Sequence, residues 1–205
     1  MGIYSRLVLP RLLDMAMSVP ELGSHRRQLL ASVTGEVLEI GFGTGANLPY
    51  YPKHIKKLTA VDSNAAMRPL ALKREAAFGI QVEHYLADAA HLPFASQTFD
   101  SVVSSWTLCS VEAVEVALSE IHRVLKPQGK FFFLEHGLCP QPKIQKVQRL
   151  INPINRMVAG GCQLTREIGL LVRNAGFQEE HLISFFIEQV PKTHGYMYQG
   201  LARKV

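Results

Sequence analysis

The sequence predicts an α/β protein: a Rossmann-like, seven-stranded, mostly parallel sheet with helices on both faces and a terminal antiparallel hairpin. Three observations carry this. Apolar strand-like runs alternate with segments of helical period along most of the chain. The first run is followed by Gly41-Phe42-Gly43-Thr44-Gly45, the turn of a strand–turn–helix unit that holds a nucleotide-like ligand. The last two runs are joined by so short a turn that they cannot be parallel neighbours.

Taken in order, residues 1–33 carry helix-like pieces broken by Pro10 and Pro20 and are expected to form a helical cap. Strands are expected at 36–41, 57–62, 80–86, 100–106 and 129–136. Most are near-continuous apolar runs, the pattern of parallel strands covered on both faces. Before the fifth, Val114, Ala117, Leu118, Ile121 and Leu125 recur on one helical face, and Pro127 and Gly129 end that helix. Residues 140–176 insert one or two helices, and 181–189 with 195–204 form the hairpin. The chain thus reads as one domain, 1–205: an N-terminal cap (1–33), a cofactor-binding half (34–136), and lid helices with the hairpin on the acceptor side (137–205). Cap and insert would both cover the carboxyl ends of the strands, where open α/β sheets bind ligands.

Composition narrows the class. The 205 residues are 47% apolar and 19% charged, a globular balance with no apolar run of about 18. The N-terminal residues show no secretory pattern. Cys109, Cys139 and Cys162 are odd in number and widely spaced, so disulfides and zinc are not expected and a reducing cytoplasm is. The eight histidines lack metal-site spacing, so no metal is assigned. A net charge of +5 is not organised with aromatics or a recognisable motif, which speaks against nucleic acid.

The ligand follows from three acids. Gly41, Gly43 and Gly45 permit a tight turn and a close backbone approach. Asp62 ends the second strand and can accept hydrogen bonds from both hydroxyls of a ribose, which suits NAD and S-adenosylmethionine alike. Two features separate them. The spacing is G-x-G-x-G instead of G-x-G-x-x-G, and Glu39 stands two residues before the first glycine, where it would repel a pyrophosphate but suit a ligand bearing an ammonium and a sulfonium. Asp88 ends the third strand, placed to accept from an adenine amino group while Ala89 and Leu92 pack on the ring.

E-x-G-x-G-x-G, the Asp62 strand end, "ADAAHLPF…FD" and "EIHRVLKPQGKF" occur in order over residues 36–136. Together they resemble the class I S-adenosylmethionine-dependent methyltransferases, in the branch of the menaquinone and ubiquinone methyltransferases. The resemblance implies S-adenosyl-L-methionine as cofactor and S-adenosyl-L-homocysteine as product. It implies cofactor roles for Glu39, Gly41, Gly43, Gly45, Asp62, Asp88 and Ala89, with Phe42, where the branch often has Cys, lining the turn. Asn47, Ser63 and Ala90 adjoin these, Asn64 and Met67 would flank the adenosine, and Ser104 and Ser105 would lie beside the methionine moiety.

"WTLCSVEAVEVALSEIHRVLKPQGKFFFLEH", "GGCQLTRE" and "THGYMYQGLARK" are similar to segments of the alkyl-thiol methyltransferases of animals and their soluble bacterial relatives. This implies methylation of a small thiol or hydrogen sulfide. Unlike the animal proteins, the sequence shows no hydrophobic anchor at its start. The alternatives are a lipophilic acceptor (a quinol carbon or a phospholipid amine) and a non-catalytic cofactor-binding domain. His136, at the end of the fifth strand, is read as a base or orienting group, or as a histidine merely hydrogen-bonded there. Arg166 could lower an acceptor thiol's pKa. Trp106, Cys109, Cys162 and Tyr196 are candidate pocket residues, with ordinary packing the competing reading for Cys162 and Tyr196. Thr165 reads as the N-cap of the next helix. From 140 to 166 the chain carries five basic residues and no acid, and Ile144, Val147, Ile151, Ile154 and Val158 fall at helical spacing. The expectation is a lid helix whose apolar face packs on the sheet, kinked or broken at Pro153; peripheral membrane contact through 143–158 is the alternative. The oligomeric state is left open.

Overall fold

A computed structural model describes residues 14, 15, 17 and 20–205. The first thirteen residues of the expected cap, with 16, 18 and 19, lie outside them. Seven strands form one sheet: β1 (Val37–Ile40), β2 (Lys57–Asp62), β3 (Gln81–Leu86), β4 (Phe99–Ser105), β5 (Leu125–His136), β6 (Phe177–Phe186) and β7 (Tyr196–Lys204). Their order is β3-β2-β1-β4-β5-β7-β6. The first five are parallel, and β7 runs antiparallel to both β5 and β6. The mostly parallel sheet with its terminal hairpin is therefore present as the sequence predicts.

Alternation along β5 sets the layers. Successive side chains of a strand point to opposite faces. Phe131 and Phe133 enter one core with Leu118 and Ile121 of α3 (Val114–Val124) and with Ile168 and Val172 of α5 (Ile168–Asn174). Phe132 and Leu134 enter the other with Leu29 and Leu30 of α1 (Pro20–Leu30) and Ala71 of α2 (Arg68–Phe78). Helix α2 stops at Gly79, whose φ of 66° lets its N–H return to the Glu75 carbonyl at 3.0 Å. The insert after β5 contains two helices, α4 (Pro142–Val158) and α5.

Several local expectations are corrected. The glycine turn does not open an α-helix; it leads to a single 3-10 turn, Leu48–Tyr50. Pro52 has no N–H to continue a helix, and it holds Tyr51 extended (φ −62°, ψ 142°). Strand β5 begins at Leu125, not 129. Leu125 pairs with Phe99 and Lys130 with Ser101, and the excess residues bulge through Gln128 at φ 65°. Helix α4 continues through Pro153, whose side lies exposed to solvent. Helix α5 starts at Ile168 with Glu167 as its N-cap, so Thr165 caps nothing.

The aromatic stack in β5 sits at the centre of this sandwich. Phe133 is fully buried, and an added Cβ on Gly200 of β7 would run into its ring. Phe133→Ala should cost about 3–5 kcal/mol through the cavity it leaves. Urea denaturation should show this as a lower midpoint with an unchanged slope.

Candidate active site

The carboxyl ends of β1, β2, β4 and β5 open into one cavity of ≈ 690 Å³. At its centre the chain leaves β1 through Gly41, Gly43 and Gly45, all at positive φ (70°, 57° and 75°). Gly41 donates to the Val61 carbonyl at 2.8 Å, and a Cβ there would collide with Thr107. No larger residue fits between β1 and the loop that follows β4. A Cβ on Gly43, by contrast, meets nothing closer than 3.8 Å, so this glycine leaves open space beside the cavity.

Asp62 fixes the turn from the next strand. One of its carboxylate oxygens accepts from Gly43 N–H and the other from Asn64 N–H, both at 2.7 Å. Burial raises its pKa against these hydrogen bonds. Asn64 in turn accepts from Ala66 N–H, so the Asp62–Met67 segment is held as one folded rim. Asp88 accepts from Ala90 N–H at 2.9 Å and is otherwise exposed at the cavity edge, with Ala89 buried beside it.

Glu39 is buried beneath the turn. Its two carboxylate oxygens accept from Asn47 at 2.9 Å and from the Tyr51 hydroxyl at 2.7 Å. Asn47 also donates to Ser105 and accepts from Arg26 of α1 at 2.9 Å. Arg26, with its guanidinium 4.7 Å from the Trp106 ring, joins the N-terminal helix to the end of β4. Burial pushes the Glu39 carboxyl up to about 7, although Tyr51, Asn47 and Arg26 favour its charge. A buried carboxylate lining a cavity, short of a full countercharge, is the complement of a cationic ligand.

At the far end the cavity reaches Cys109, His136 and Cys162. All three are buried, and their ligating atoms lie within 4.8 Å of one another. His136 Nε2 is 2.7 Å from Cys162 Sγ, while Nδ1 is buried with no partner among the described residues. Hydrogen bonding from Cys109, then from His136, holds the Cys162 thiol down at about 5 against burial. Burial opposes charge on His136, but Cys162 and Glu135 outweigh it and raise its pKa.

Most of the sequence-derived set lines this cavity: Glu39, Gly41, Phe42, Gly43 and Asn47 from the first unit; Asp62, Ser63, Asn64 and Met67 from the second; Asp88 and Ala89 from the third. Ser105, Trp106, Cys109, His136 and Cys162 complete it. Gly45, Ala90, Ser104, Arg166 and Tyr196 do not line it. Ser104 donates instead to Glu135 at 2.9 Å, and the Tyr196 hydroxyl donates to Ser184 at 2.8 Å. Arg166 is buried against the loop after β4 and donates to the carbonyls of Leu108, Val111 and Glu112.

Sequence reasoning missed Glu135 and Arg26, two buried charges that brace the site. Glu135 accepts from the amides of Thr107 (2.9 Å), Leu108 (3.0 Å) and Cys109 (3.3 Å). Its signal was an acid directly after the apolar run Phe131–Leu134. It also missed how α4 is mounted. Gln148 and Asn155, 1% and 8% exposed, face inward; Leu150, Ile154 and Met157, at 78%, 67% and 83%, face out. Of the face expected to pack inward, Val147, Ile154 and Val158 are exposed and Ile144 is half-buried, while Ile151 packs against Cys109, Cys162 and Leu164, so the expectation holds only in part. Gln148 bonds the backbone of Gly137, Cys139 and Thr193, and Asn155 bonds Cys162 O and His194, so polar side chains dock this helix.

A mostly parallel sheet with this strand order, a glycine turn after β1 and acids at or just beyond the ends of β1, β2 and β3 form the frame of a nucleoside-binding site. A buried acid beneath the turn is unfavourable to a pyrophosphate and compatible with a cationic ligand. Comparison with known proteins agrees. The family described as "Methyltransferase domain" matches residues 38–133. The chain is 34% identical over 179 residues to the thiol S-methyltransferase TMT1B of Rattus norvegicus, covering 82% of this chain and 73% of the relative. It is 32% identical over 159 residues to the demethylmenaquinone methyltransferase of Thermobifida fusca, covering 74% and 63%. A crystal structure of a SAM-dependent methyltransferase from Aquifex aeolicus superposes with a TM-score of 0.67 at 19% identity, covering 96% and 98% of the two chains. The chain belongs to the S-adenosylmethionine-dependent methyltransferases, in the family that includes the thiol S-methyltransferases.

The Glu39 pKa gives a sign for cofactor binding. Below about pH 7 the carboxyl is protonated and neutral, so affinity for the cationic cofactor should fall as pH drops through 7, by up to about tenfold per unit. Titration calorimetry between pH 6 and 8 should show the slope, and Glu39→Gln should flatten it at the weaker end.

Proposed function

We propose that this methyltransferase acts on a small thiol or on hydrogen sulfide. The observation that carries the reading is His136: at the inner end of the cavity, its Nε2 faces Cys162 while its buried Nδ1 has no partner among the described residues. The named activity of the rat relative points the same way.

Glu39, Asp62, Asp88 and the glycine turn would hold the cofactor's charged and polar groups, with Ala89 against its base. When bound, S-adenosylmethionine supplies an electrophilic methyl group on its sulfonium. The chain's task is to set an acceptor atom about 3 Å away on the far side and to exclude water. The Cys162–His136 pair favours the imidazolium, whose positive charge at the cavity's end would lower the pKa of an acceptor thiol. A thiol of ordinary pKa near 8.5 is thereby held as thiolate, a strong nucleophile that needs no further base. A quinol carbon or an amine must lose a proton during methylation, and an imidazolium cannot take it. The same charge state therefore disfavours the lipophilic acceptors.

The test is S-adenosylhomocysteine production with hydrogen sulfide, methanethiol, a longer alkyl thiol, a demethylated quinol and phosphatidylethanolamine. Turnover with the sulfur acceptors alone is expected, and turnover confined to the quinol or lipid would sink the reading. His136→Gln should lower thiol turnover roughly 10²-fold, the scale of losing one preorganised electrostatic group, with cofactor affinity unchanged.

The exposed apolar face of α4 bears on how a lipophilic thiol reaches the site. Leu150, Ile154 and Met157 project from a helix that also carries Lys143, Lys146, Arg149 and Arg156 and no acid. Such a helix suits the interface of an anionic bilayer. Its inner face carries Asn155, which lines the cavity. Among the described residues no helix is long and apolar enough to cross a membrane. Flotation should recover the protein with phosphatidylserine-containing vesicles and much less with phosphatidylcholine alone. Leu150→Glu with Met157→Glu should abolish recovery while leaving turnover of a water-soluble thiol unchanged; unaltered recovery would refute this surface.

A further inference from the structure

Cys109 and Cys162 line the same end of the cavity from two different segments. Cys109 lies in the loop after β4, and Cys162 in the turn after α4. Their backbones run side by side, with Gln163 N–H donating to the Cys109 carbonyl at 2.8 Å. Both sulfurs lie within 4.8 Å of each other and of His136. The third cysteine, Cys139, is buried outside the cavity. Methyl transfer to an external thiol uses His136 but leaves both cysteine sulfurs unassigned as nucleophiles.

We propose that Cys162 and Cys109 form a thiol–disulfide exchange pair, with Cys162 attacking and Cys109 resolving, that takes small disulfides entering the acceptor end of the cavity. The identity of those disulfides rests on the thiol-acceptor reading: they are the oxidised form, RSSR, of that acceptor class. The roles follow from surroundings. Cys162 is paired with His136, whereas the Cys109 thiol is pushed up by its bond to Cys162, by burial and by Glu135. The thiolate is the attacking species in such exchange.

The chemistry balances without another reagent. The Cys162 thiolate attacks one sulfur of RSSR; the S–S bond breaks, a Cys162–SR mixed disulfide forms, and RS⁻ leaves with the His136 proton as RSH. Cys109 then attacks Cys162, closing the Cys109–Cys162 bond and expelling the second RS⁻, which takes the Cys109 proton. Two cysteine thiols are oxidised and one RSSR is reduced to two RSH. The imidazolium has then lost both its proton and its thiolate partner, so the oxidised protein cannot hold an acceptor thiolate and methyl transfer stops. Two molecules of acceptor are released in the same event.

The experiment uses the reduced full chain, free of S-adenosylmethionine, with 2-hydroxyethyl disulfide as the probe. Expected are a protein lighter by two hydrogens, two equivalents of thiol released, and a Cys109–Cys162 peptide by mapping. Thiol methylation should be lost and restored by dithiothreitol. Cys109→Ser should stop at a mixed disulfide on Cys162, and Cys162→Ser should release no thiol; circular dichroism and cofactor binding of each variant establish that it is folded. An unchanged wild-type mass, a stable unresolved adduct, or a divalent cation held by the three side chains that blocks exchange would overturn the proposal. Exchange and thiol methylation are read separately. Methylation without exchange refutes only this inference, and exchange without thiol methylation refutes only the acceptor reading.

Discussion

The site depends on one loop, residues 107–112, being clamped by two buried charges of opposite sign. Glu135, from the end of β5, takes the amides of Thr107, Leu108 and Cys109 on one side. Arg166 takes the carbonyls of Leu108, Val111 and Glu112 on the other. Around the buried Leu108 and Cys109 the loop would otherwise leave backbone donors and acceptors unpaired, at about 1–3 kcal/mol each. The arrangement also meets the general cost of burying charge, because each ion is surrounded by oriented backbone dipoles. Burial still raises the Glu135 pKa, with the Thr107 and Leu108 amides and Ser104 working against it.

The clamp connects the two halves of the reaction. Its first residue, Thr107, packs where a Cβ on Gly41 would be, so the loop and the glycine turn fix each other's position. Trp106, just before it, sits at φ 50°, an uncommon conformation for a bulky residue, held by its N–H to Leu134 O at 2.8 Å and by Arg26 over its ring. Cys109, three residues on, lies at the far end of the cavity with His136 and Cys162. Glu135 is adjacent to His136 in sequence, so one strand end supplies both the anchor of the loop and an imidazole that lines the cavity. Displacing that strand end would move both sides together.

Much of this was legible in the sequence because the signals were local. The strands are short apolar runs, and the glycine turn with Glu39, Asp62 and Asp88 is readable from spacing and charge alone. What was not legible depends on partners far along the chain. Glu135 looks like an acid at the end of a strand until β4 brings residues 104–109 over it. Arg166 reads as a free cation next to a pocket until three carbonyls are seen to occupy it. Helix α4 is the sharpest case. Periodicity finds its apolar face but does not say which way that face points. The inward positions belong to Gln148 and Asn155, whose partners at 137, 139, 162, 193 and 194 become visible only in the fold.

These differences follow a division of labour within the sheet. Strands β1 to β4 are parallel and present their carboxyl ends to a cofactor whose charges do not change from one acceptor to another, so short sequence signals describe them. The end of the cavity proposed to take the acceptor is assembled after β5, from an antiparallel hairpin, a helix docked by polar side chains, and a turn carrying Cys162. None of these elements is required by the parallel sheet itself, and each is positioned by long-range hydrogen bonds. A methyl acceptor needs only a position opposite the sulfonium and a suitable protonation state. Changing the groups at this end therefore changes the acceptor without disturbing the cofactor site. That is why fold and cofactor follow from the first 136 residues, while the acceptor has to be argued from His136, Cys109 and Cys162 in their folded arrangement.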